Sequence, residues 1–464
     1  MNPKKKFSGR GDRSSSPHSL KKNEPKSREQ ANSPSPQRIS SKDRDRNASP
    51  ATPGMPPLLE DLILAYIREK IGKEPGDTSF LSRLRQAVMA QKAMYWKDNP
   101  GKKIKYGRGY DIFAYLAYHF PVYFTQFRSL LQGLANDNVL PDEATLLDIG
   151  TGPGVVPLAM IDLWRSQGKG KLDIFSIERS EEHVEAYRYL VPGYVGTDSS
   201  ITVHPVIQGD LIKPSTIEHQ DLPEKTTIIS FQNVLAELEH ISIPKRAEIV
   251  LSYTKNLVEN GFLIIVEPAE LRHATSLRLL QRELIKSGLH VYAPCSYLWG
   301  SGCDPSSCWT FREEHLIETT TLMEMLAGDE EGYRFINTDL KYAYLILTKS
   351  TLTRCKYRIP MKNRLTRLSH LERHAGRVIS IAGARMSEDI GTKGMHIFKV
   401  CDGTCREPVY AVLSSRNRRP GHSPLFNSAY GDPLIFSGVQ IRRHPKHKAW
   451  NLIISADTRI ERAL

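Results

Sequence analysis

Cysteine is scarce, with six residues in 464. That number cannot staple a secreted scaffold, so any thiols that cluster are available for metal chemistry instead. No apolar stretch approaches the about 20 residues needed to span a bilayer, and no signal-peptide core is visible. A soluble, intracellular protein without membrane contact is therefore expected. Large apolar side chains are nearly missing from residues 1–56, which are rich in Ser, Pro, Lys and Arg. Such a segment cannot bury enough surface to offset chain entropy and reads as a disordered tail. Acids are not missing there: Asp12, Glu24, Glu29, Asp43 and Asp45 are interspersed, and Lys is as frequent as Arg. That composition describes a basic tail rather than a transit peptide and favours a prokaryotic cytoplasm, with the mitochondrial matrix as the alternative. No internal repeat is evident.

Charge is unevenly placed. Residues 1–56 carry a net +8, residues 350–464 a net +13, and the stretch between them −8. Basic ends on an acidic middle suit a partner with a phosphate backbone, because each neutralised phosphate releases counterions. Ordinary solvated charge explains Lys4 to Lys6. It explains less well Arg416, Arg418, Arg419, Arg442, Arg443, Lys446 and Lys448, which lie among strand-like stretches and aromatics.

The most informative stretch is Leu146 to Pro157, LLDIGTGPGVVP. An apolar run ends in Asp148, and Gly150, Gly152 and Gly154 follow at alternate positions before a helix-compatible segment. This is a buried strand entering a glycine turn, where a nucleotide-like cofactor can approach bare main chain at a helix N-terminus. The dinucleotide fingerprint needs a third glycine at position 155, where Val155 stands. The turn resembles instead the first motif of the S-adenosylmethionine (SAM) methyltransferases.

Four more apolar runs fall at spacings that admit helices between them: Leu172–Ile177 before Glu178, Val203–Ile207 before Gly209-Asp210, Thr227–Phe231 before Asn233, and Phe262–Val266 before Glu267. The alternation implies an open, mostly parallel α/β sheet with ligands at the carboxyl ends of its strands. Asp148, Gly150, Gly152, Gly154, Glu178, Asp210 and Asn233 are then the candidate cofactor-binding residues, with Glu178 placed to accept from ribose hydroxyls.

The cysteines are clustered. Cys295, Cys303 and Cys308 crowd one loop rich in Gly, Pro and Ser, Cys401 and Cys405 flank an Asp402-Gly403 turn, and Cys355 stands alone. Thiols in irregular polar backbone suggest a metal site, and three from one loop with a fourth from a distant hairpin suit zinc or an iron-sulfur cluster equally.

These motifs together resemble the methyltransferase-like assembly factors of the small ribosomal subunit, mitochondrial and prokaryotic. The resemblance spans about residues 85–405 and rests on Tyr115–Pro121, Leu147–Gly154, Val266–Pro268, Ala293–Cys295, Cys303, Cys308–Phe311 and Lys341–Leu347. It implies a SAM-binding core, a 4Fe-4S cluster and a role with the small ribosomal subunit and its rRNA; no DNA partner is expected, and a monomer is. Carried over by position, the cluster ligands are Cys295, Cys303, Cys308 and Cys401, with Cys405 competing for the fourth place. Histidines that often accompany the family's cysteines are replaced here by Ser296 and Trp309.

The chain divides into a tail (1–56), a helical region (57–140), a SAM-binding core (141–292), a Cys-rich loop with remaining sheet segments (293–349) and a basic β-rich region (350–464) resembling an oligonucleotide-binding barrel. Between the helices, Lys102 to Tyr110 interleaves bases with tyrosines, a mixture suited to phosphate contact and base stacking.

Methyl transfer needs mainly positioning, with no obligatory nucleophile. The exception is transfer to a pyrimidine C5 carbon, and the Pro294-Cys295 dipeptide stands at the wrong strand for it. No Asn-Pro-Pro-aromatic motif follows the fourth strand, which argues against exocyclic-amine methylation. Asn233 and Glu237 are the only candidates for a catalytic role. Two functions follow: an rRNA methyltransferase, or an RNA-binding assembly factor that uses SAM and the cluster as structural ligands or sensors.

Overall fold

The computed structural model describes residues 52–95, 109–212, 222–300, 303–306, 308–328, 332–360 and 362–463. The basic tail lies almost entirely outside the described residues, as does the Lys102–Tyr110 segment up to Arg108. Among the described residues, four helices precede the sheet: α1 (Pro57–Ile71), α2 (Thr78–Tyr95), α3 (Tyr110–Ala114) and α4 (Phe120–Asn136), the last two joined through a π turn, Tyr115–His119. Their apolar residues recur three and four apart, which gives each helix one face to bury; Leu59, Ile63, Tyr66 and Ile67 of α1 are all buried.

Nine strands form the central sheet: β1 (Ala144–Ile149), β2 (Leu172–Glu178), β3 (Ile201–Val203), β4 (Ile207–Gln208), β5 (Thr226–Gln232), β6 (Leu257–Pro268), β7 (His290–Ala293), β8 (Arg312–Glu314) and β9 (Leu340–Thr348). Their order is β3-β2-β1-β5-β6-β9-β7, with β4 beside β2 and β8 beside β9. β1 pairs in parallel with β2 and β5, and β5 with β6. β9 inserts antiparallel between β6 and β7. The chain starts in mid-sheet and builds outward first one way and then the other. That order leaves a crevice at the carboxyl ends beside β1, the switch point where α/β sheets hold ligands.

Strands buried on both faces read as unbroken apolar runs, which is why the stretches ending at Ile149, Glu178, Gln232 and Pro268 were legible. The expected strand Val203–Ile207 is instead two short pieces, β3 and β4. Pro205 has no N–H to continue a ladder, and the edge breaks there.

Between strands run α5 (Val155–Ser166), α6 (Glu181–Val195), α7 (Ile243–Tyr253) and α8 (Leu271–Lys286), followed by a short α9 (Thr321–Leu326). One sheet face is covered by α4, α5 and α6 around Phe124, Phe127, Leu158 and Trp164; the other is covered by α7 and α8 around Val250, Leu277 and Leu284. The result is the SAM-methyltransferase-like α/β fold expected from the glycine turn and strand spacing.

The C-terminal region is a second, six-stranded sheet: β10 (Val378–Arg385), β11 (Met395–Cys401), β12 (Val409–Ser414), β13 (Pro433–Arg443), β14 (Trp450–Ile454) and β15 (Arg459–Arg462), with α10 (Ser423–Asn427) between β12 and β13. The first five close into a ring, β10-β11-β12-β14-β13, because β13 also pairs with β10. Among these six strands, β12 and β14 are the pair that runs parallel. Phe398, Val400, Leu434, Phe436, Leu452 and Ile454 fill the interior. Among the described residues, no helix is long and apolar enough to cross a membrane.

Candidate functional site

A cavity of about 220 Å³ opens at the carboxyl ends of the sheet. Gly150 and Gly152 reach it from β1, Glu178 to Ser180 from β2, Gly209 and Asp210 from β4, Asn233 from β5, and Pro268 and Glu270 from β6. Tyr115 and Tyr123, from the π turn and α4, line it as well, so the Tyr115–Pro121 motif helps to wall this crevice.

The glycines divide the work. At Gly150 (φ 72°) and Gly154 (φ 95°) an added Cβ would lie 2.5 Å from Val234 and 2.5 Å from Val191 respectively. Both therefore serve close packing of the turn on its neighbours. At Gly152 (φ 56°) the nearest atom to such a Cβ is His183 Nδ1 at 3.8 Å, so this glycine leaves main chain open to the cavity. Gly152 N–H donates to Glu178 Oε2 at 2.9 Å, and the other carboxylate oxygen accepts from Arg179 and Ser180 N–H at 2.8 Å each. Glu178 thus pins the glycine turn to the end of β2 and keeps lone-pair capacity for a hydroxyl.

Asn233 has a left-handed backbone (φ 58°), a conformation that clusters at functional sites. Its N–H donates to Val266 O at 2.8 Å, while its side-chain Nδ2 is buried with no partner among the described residues. Glu237 follows on a 3-10 turn, Leu235–Leu238, and lines the cavity. That turn is held by Glu267, whose buried carboxylate accepts from Leu235 N–H at 3.0 Å and Ala236 N–H at 2.8 Å. The sequence places Glu267 at a strand end and in the Val266–Pro268 motif but assigns it no role. Asp210 caps its own loop by accepting from Ile212 N–H at 3.0 Å.

Asp148 and Gly154 are not among the lining residues. Asp148 is buried beneath the turn and accepts from Ser230 Oγ at 2.6 Å. Burial pushes its carboxyl up to about 7; the Ser230 hydrogen bond pulls the other way, and the nearby Glu178 adds to the rise. A carboxyl raised in the folded state is protonated there while the unfolded chain is already ionised. Stability is therefore full below the ordinary carboxylate range and is lost as pH rises toward 7. Asp148→Asn should remove this slope, worth on the order of 4 kcal/mol at three pKa units. Urea melts of both proteins from pH 4 to 8 check this; parallel curves would refute the assignment.

The thiols form a second locus. Cys295 follows β7, accepts from Gln281 Nε2 at 3.5 Å, and feels the charges of Arg278, Cys308 and Cys401. Cys303 is pushed up by burial and then by Cys295, Cys401 and Cys308. Cys401 ends β11, where Gly403 N–H donates to its sulfur at 3.4 Å and Cys405 sits within hydrogen-bond reach. Three loop thiols and Cys401 are thus in one electrostatic neighbourhood. Cys355 packs apart with Leu298, Ile359 and Ala382. Among the described residues, no three His, Cys, Asp or Glu side chains form a group able to hold a metal ion as they stand.

Arg278 stands beside the thiols. It is 1% exposed, and only its Nη1 has a hydrogen-bond partner, Gln281 Oε1 at 3.0 Å. Nε and Nη2 are buried without one among the described residues. Nothing in the sequence marks this arginine, because the loop that buries it comes later in the chain.

Residues 109–312 match the family model described as mitochondrial small ribosomal subunit Rsm22. The matched span contains the Tyr115, Gly150, Glu267, Cys295 and Cys308 motifs that carry the resemblance stated above. Residues 369–463 match the C-terminal domain of a family of unknown function, DUF8157. No curated protein matches. Among solved structures, SAM-bound CalS10, an amino pentose methyltransferase from Micromonospora echinaspora, is 16% identical over 30% of this chain and 50% of its own, with a TM-score of 0.22. The chain thus spans half the length of that relative. The precorrin-6y C5,15-methyltransferase from Geobacter metallireducens is 15% identical over 48% of this chain and 87% of its own, with a TM-score of 0.30.

Proposed function

We propose that this protein is a SAM-dependent methyltransferase of small-subunit rRNA that carries a thiolate-bound 4Fe-4S cluster. The observation that carries the first part is the cavity at the switch point of the sheet, bounded by an open glycine turn and an acidic strand end. Gly150 and Gly152 offer main chain to the amino-acid portion of SAM, Glu178 offers carboxylate oxygens to the ribose, and Asp210 lies where the adenine would be read. Bound SAM supplies an electrophilic methyl group whose in-line displacement leaves a neutral thioether. The chain's own task is positioning: Asn233, with its unpartnered amide, and Glu237 face the acceptor side, while Tyr115 and Tyr123 exclude water.

The ribosomal part rests on the Rsm22 family model and on the basic C-terminal region. The mitochondrial description of that family supports the matrix over a prokaryotic cytoplasm.

The residue types at the thiol locus, though not grouped among the described residues to hold a metal as they stand, suit an anionic metal centre. Cys295, Cys303, Cys308 and Cys401 would supply four soft ligands from two segments, and a buried guanidinium with two nitrogens unpartnered among the described residues calls for negative charge beside it. Cys401 is the fourth ligand that the resemblance carries over by position, with Cys405 beside it as the competing thiol. Such a centre would tie the β7–β8 loop to the C-terminal barrel.

Isotope-labelled SAM offered with immature small subunits is expected to label rRNA. Gly152→Ala, which puts a Cβ on the open side of the turn at a cost of about 1–2 kcal/mol for its positive φ, should cut labelling sharply, with urea melts checking that the protein stays folded. Tight SAM binding with no label in any RNA would refute transfer and establish the assembly-factor alternative.

A further inference from the structure

We propose that the outer β11–β12 face of the C-terminal barrel binds single-stranded RNA and leads it into a second cavity, where a nucleobase stacks on Trp309 beside the cofactor site. The proposal rests on the reading of the first cavity as the SAM site of an RNA-directed protein.

The second cavity, about 340 Å³, shares Tyr123, Asn233, Pro268 and Glu270 with the first. Its far wall is Trp309, Phe311 and Lys341. Trp309 is 43% exposed, although large aromatic side chains are normally tucked away. It is also held in place: its indole N–H donates to Ala269 O at 2.7 Å. The Phe311 ring lies 5.6 Å away, centroid to centroid, and Lys341 Nζ stands 5.7 Å from the Phe311 centroid. A fixed, exposed indole is a stacking platform; the Lys341 ammonium nearby is ion-paired with Glu313 Oε2 at 3.1 Å. The Asn233 amide, unpartnered in its buried position, stands between this platform and the methyl donor's cavity and can read a base edge.

The barrel continues this surface. Phe398, Val400, Val409 and Ala411 point into its core, so Lys399 and Tyr410, which are cross-strand partners on β11 and β12, point outward. The Lys399 ammonium donates to the carbonyl of Trp309, which joins the outer face to the aromatic cavity. The ring of five strands with its single parallel pair has the form of an oligonucleotide-binding barrel, whose second and third strands and flanking loops form the nucleic-acid surface. The loop between β13 and β14 adds exposed Lys446 and Lys448. Residues 350–464 carry a net +13 of their own. A polyanion with flat π faces matches both charge and aromatics; an acidic peptide matches the charge alone. Because Trp309 directly follows Cys308, the platform is anchored to the thiol locus, and loss of that anchor should loosen base binding.

The test uses the full-length protein and a fluorescent single-stranded RNA of about 12 nucleotides, within the span one such barrel covers. Trp309→Ala and Tyr410→Ala should each weaken binding about 5- to 150-fold, the loss of one stacked base. Trp309→Phe, which keeps a ring, should recover most of it. Lys446→Gln with Lys448→Gln should lower the log–log salt slope by about 1.4, two phosphate contacts on a single strand. Unchanged RNA affinity in both Trp309→Ala and Tyr410→Ala would overturn the proposal, as would full competition by polyglutamate. Calorimetry with SAM separates the two readings. RNA binding sensitive to Trp309 in a protein that takes up no SAM would uphold this surface and refute the methyltransferase. SAM uptake with RNA binding indifferent to Trp309 and Tyr410 would do the reverse.

Discussion

Arg278→Met is expected to strip the thiol locus of its metal. Prepared without oxygen, the native protein should be brown, with iron and sulfide bound through Cys295, Cys303, Cys308 and Cys401; the variant should be pale and less stable by about 3–5 kcal/mol, the cost of leaving one member of a buried charge pair alone. The argument turns on sign. Arg278 is 1% exposed, and two of its three guanidinium nitrogens have no partner among the described residues. If the neighbouring thiols stayed protonated and unligated, Arg278 would be an uncompensated buried cation, and a methionine of similar length would relieve it. Replacing buried charge by apolar side chains then stabilises, by about 1–4 kcal/mol. Urea denaturation of the two proteins, with metal analysis on the same samples, distinguishes the cases. A more stable variant from a metal-free parent would remove the centre from the proposal, and a colourless parent holding zinc would replace iron while leaving the role of Arg278 intact.

That charge lies outside what residue patterns convey. The core strands were legible because strands covered on both faces become apolar runs, and the turn after β1 was legible because alternate glycines have few other uses. Asp148 shows the limit. A sequence locates an acid at the end of a strand but not the side to which it points, and this one turns down to Ser230 rather than out to the cavity. Glu178, one strand over, points up, binds the turn through Gly152 N–H and accepts from Arg179 and Ser180 N–H at its own strand end. The second cavity was hidden for a different reason. Its wall joins Trp309 after the cysteine loop, Lys341 on β9 and Pro268 at the end of β6, segments that meet only because β9 inserts beside β6. The C-terminal strands could be read one by one from their alternation, but ring closure by β10 and β13 is a long-range pairing that no local pattern encodes.

Gly154→Ala is expected to cost about 2–5 kcal/mol, a large effect for one methyl group. Two terms combine. A non-glycine residue at positive φ loses about 1–2 kcal/mol to contact between its Cβ and the backbone, and Gly154 sits at φ 95°. The new Cβ would also stand 2.5 Å from Val191 and 3.2 Å from Tyr187 on α6, both fully packed against the sheet, and overpacking of that kind costs about 1–3 kcal/mol. Gly168→Ala isolates the first term, since Gly168 has φ 60° with no atom within 4 Å of an added Cβ. Urea denaturation should therefore rank native, Gly168→Ala and Gly154→Ala in that order, with the gap between the two variants measuring the packing of α5 against α6. Equal losses would mean that the turn yields freely. A yielding turn could not hold Gly152 N–H against Glu178, and the main-chain surface offered to the cofactor would have no fixed shape.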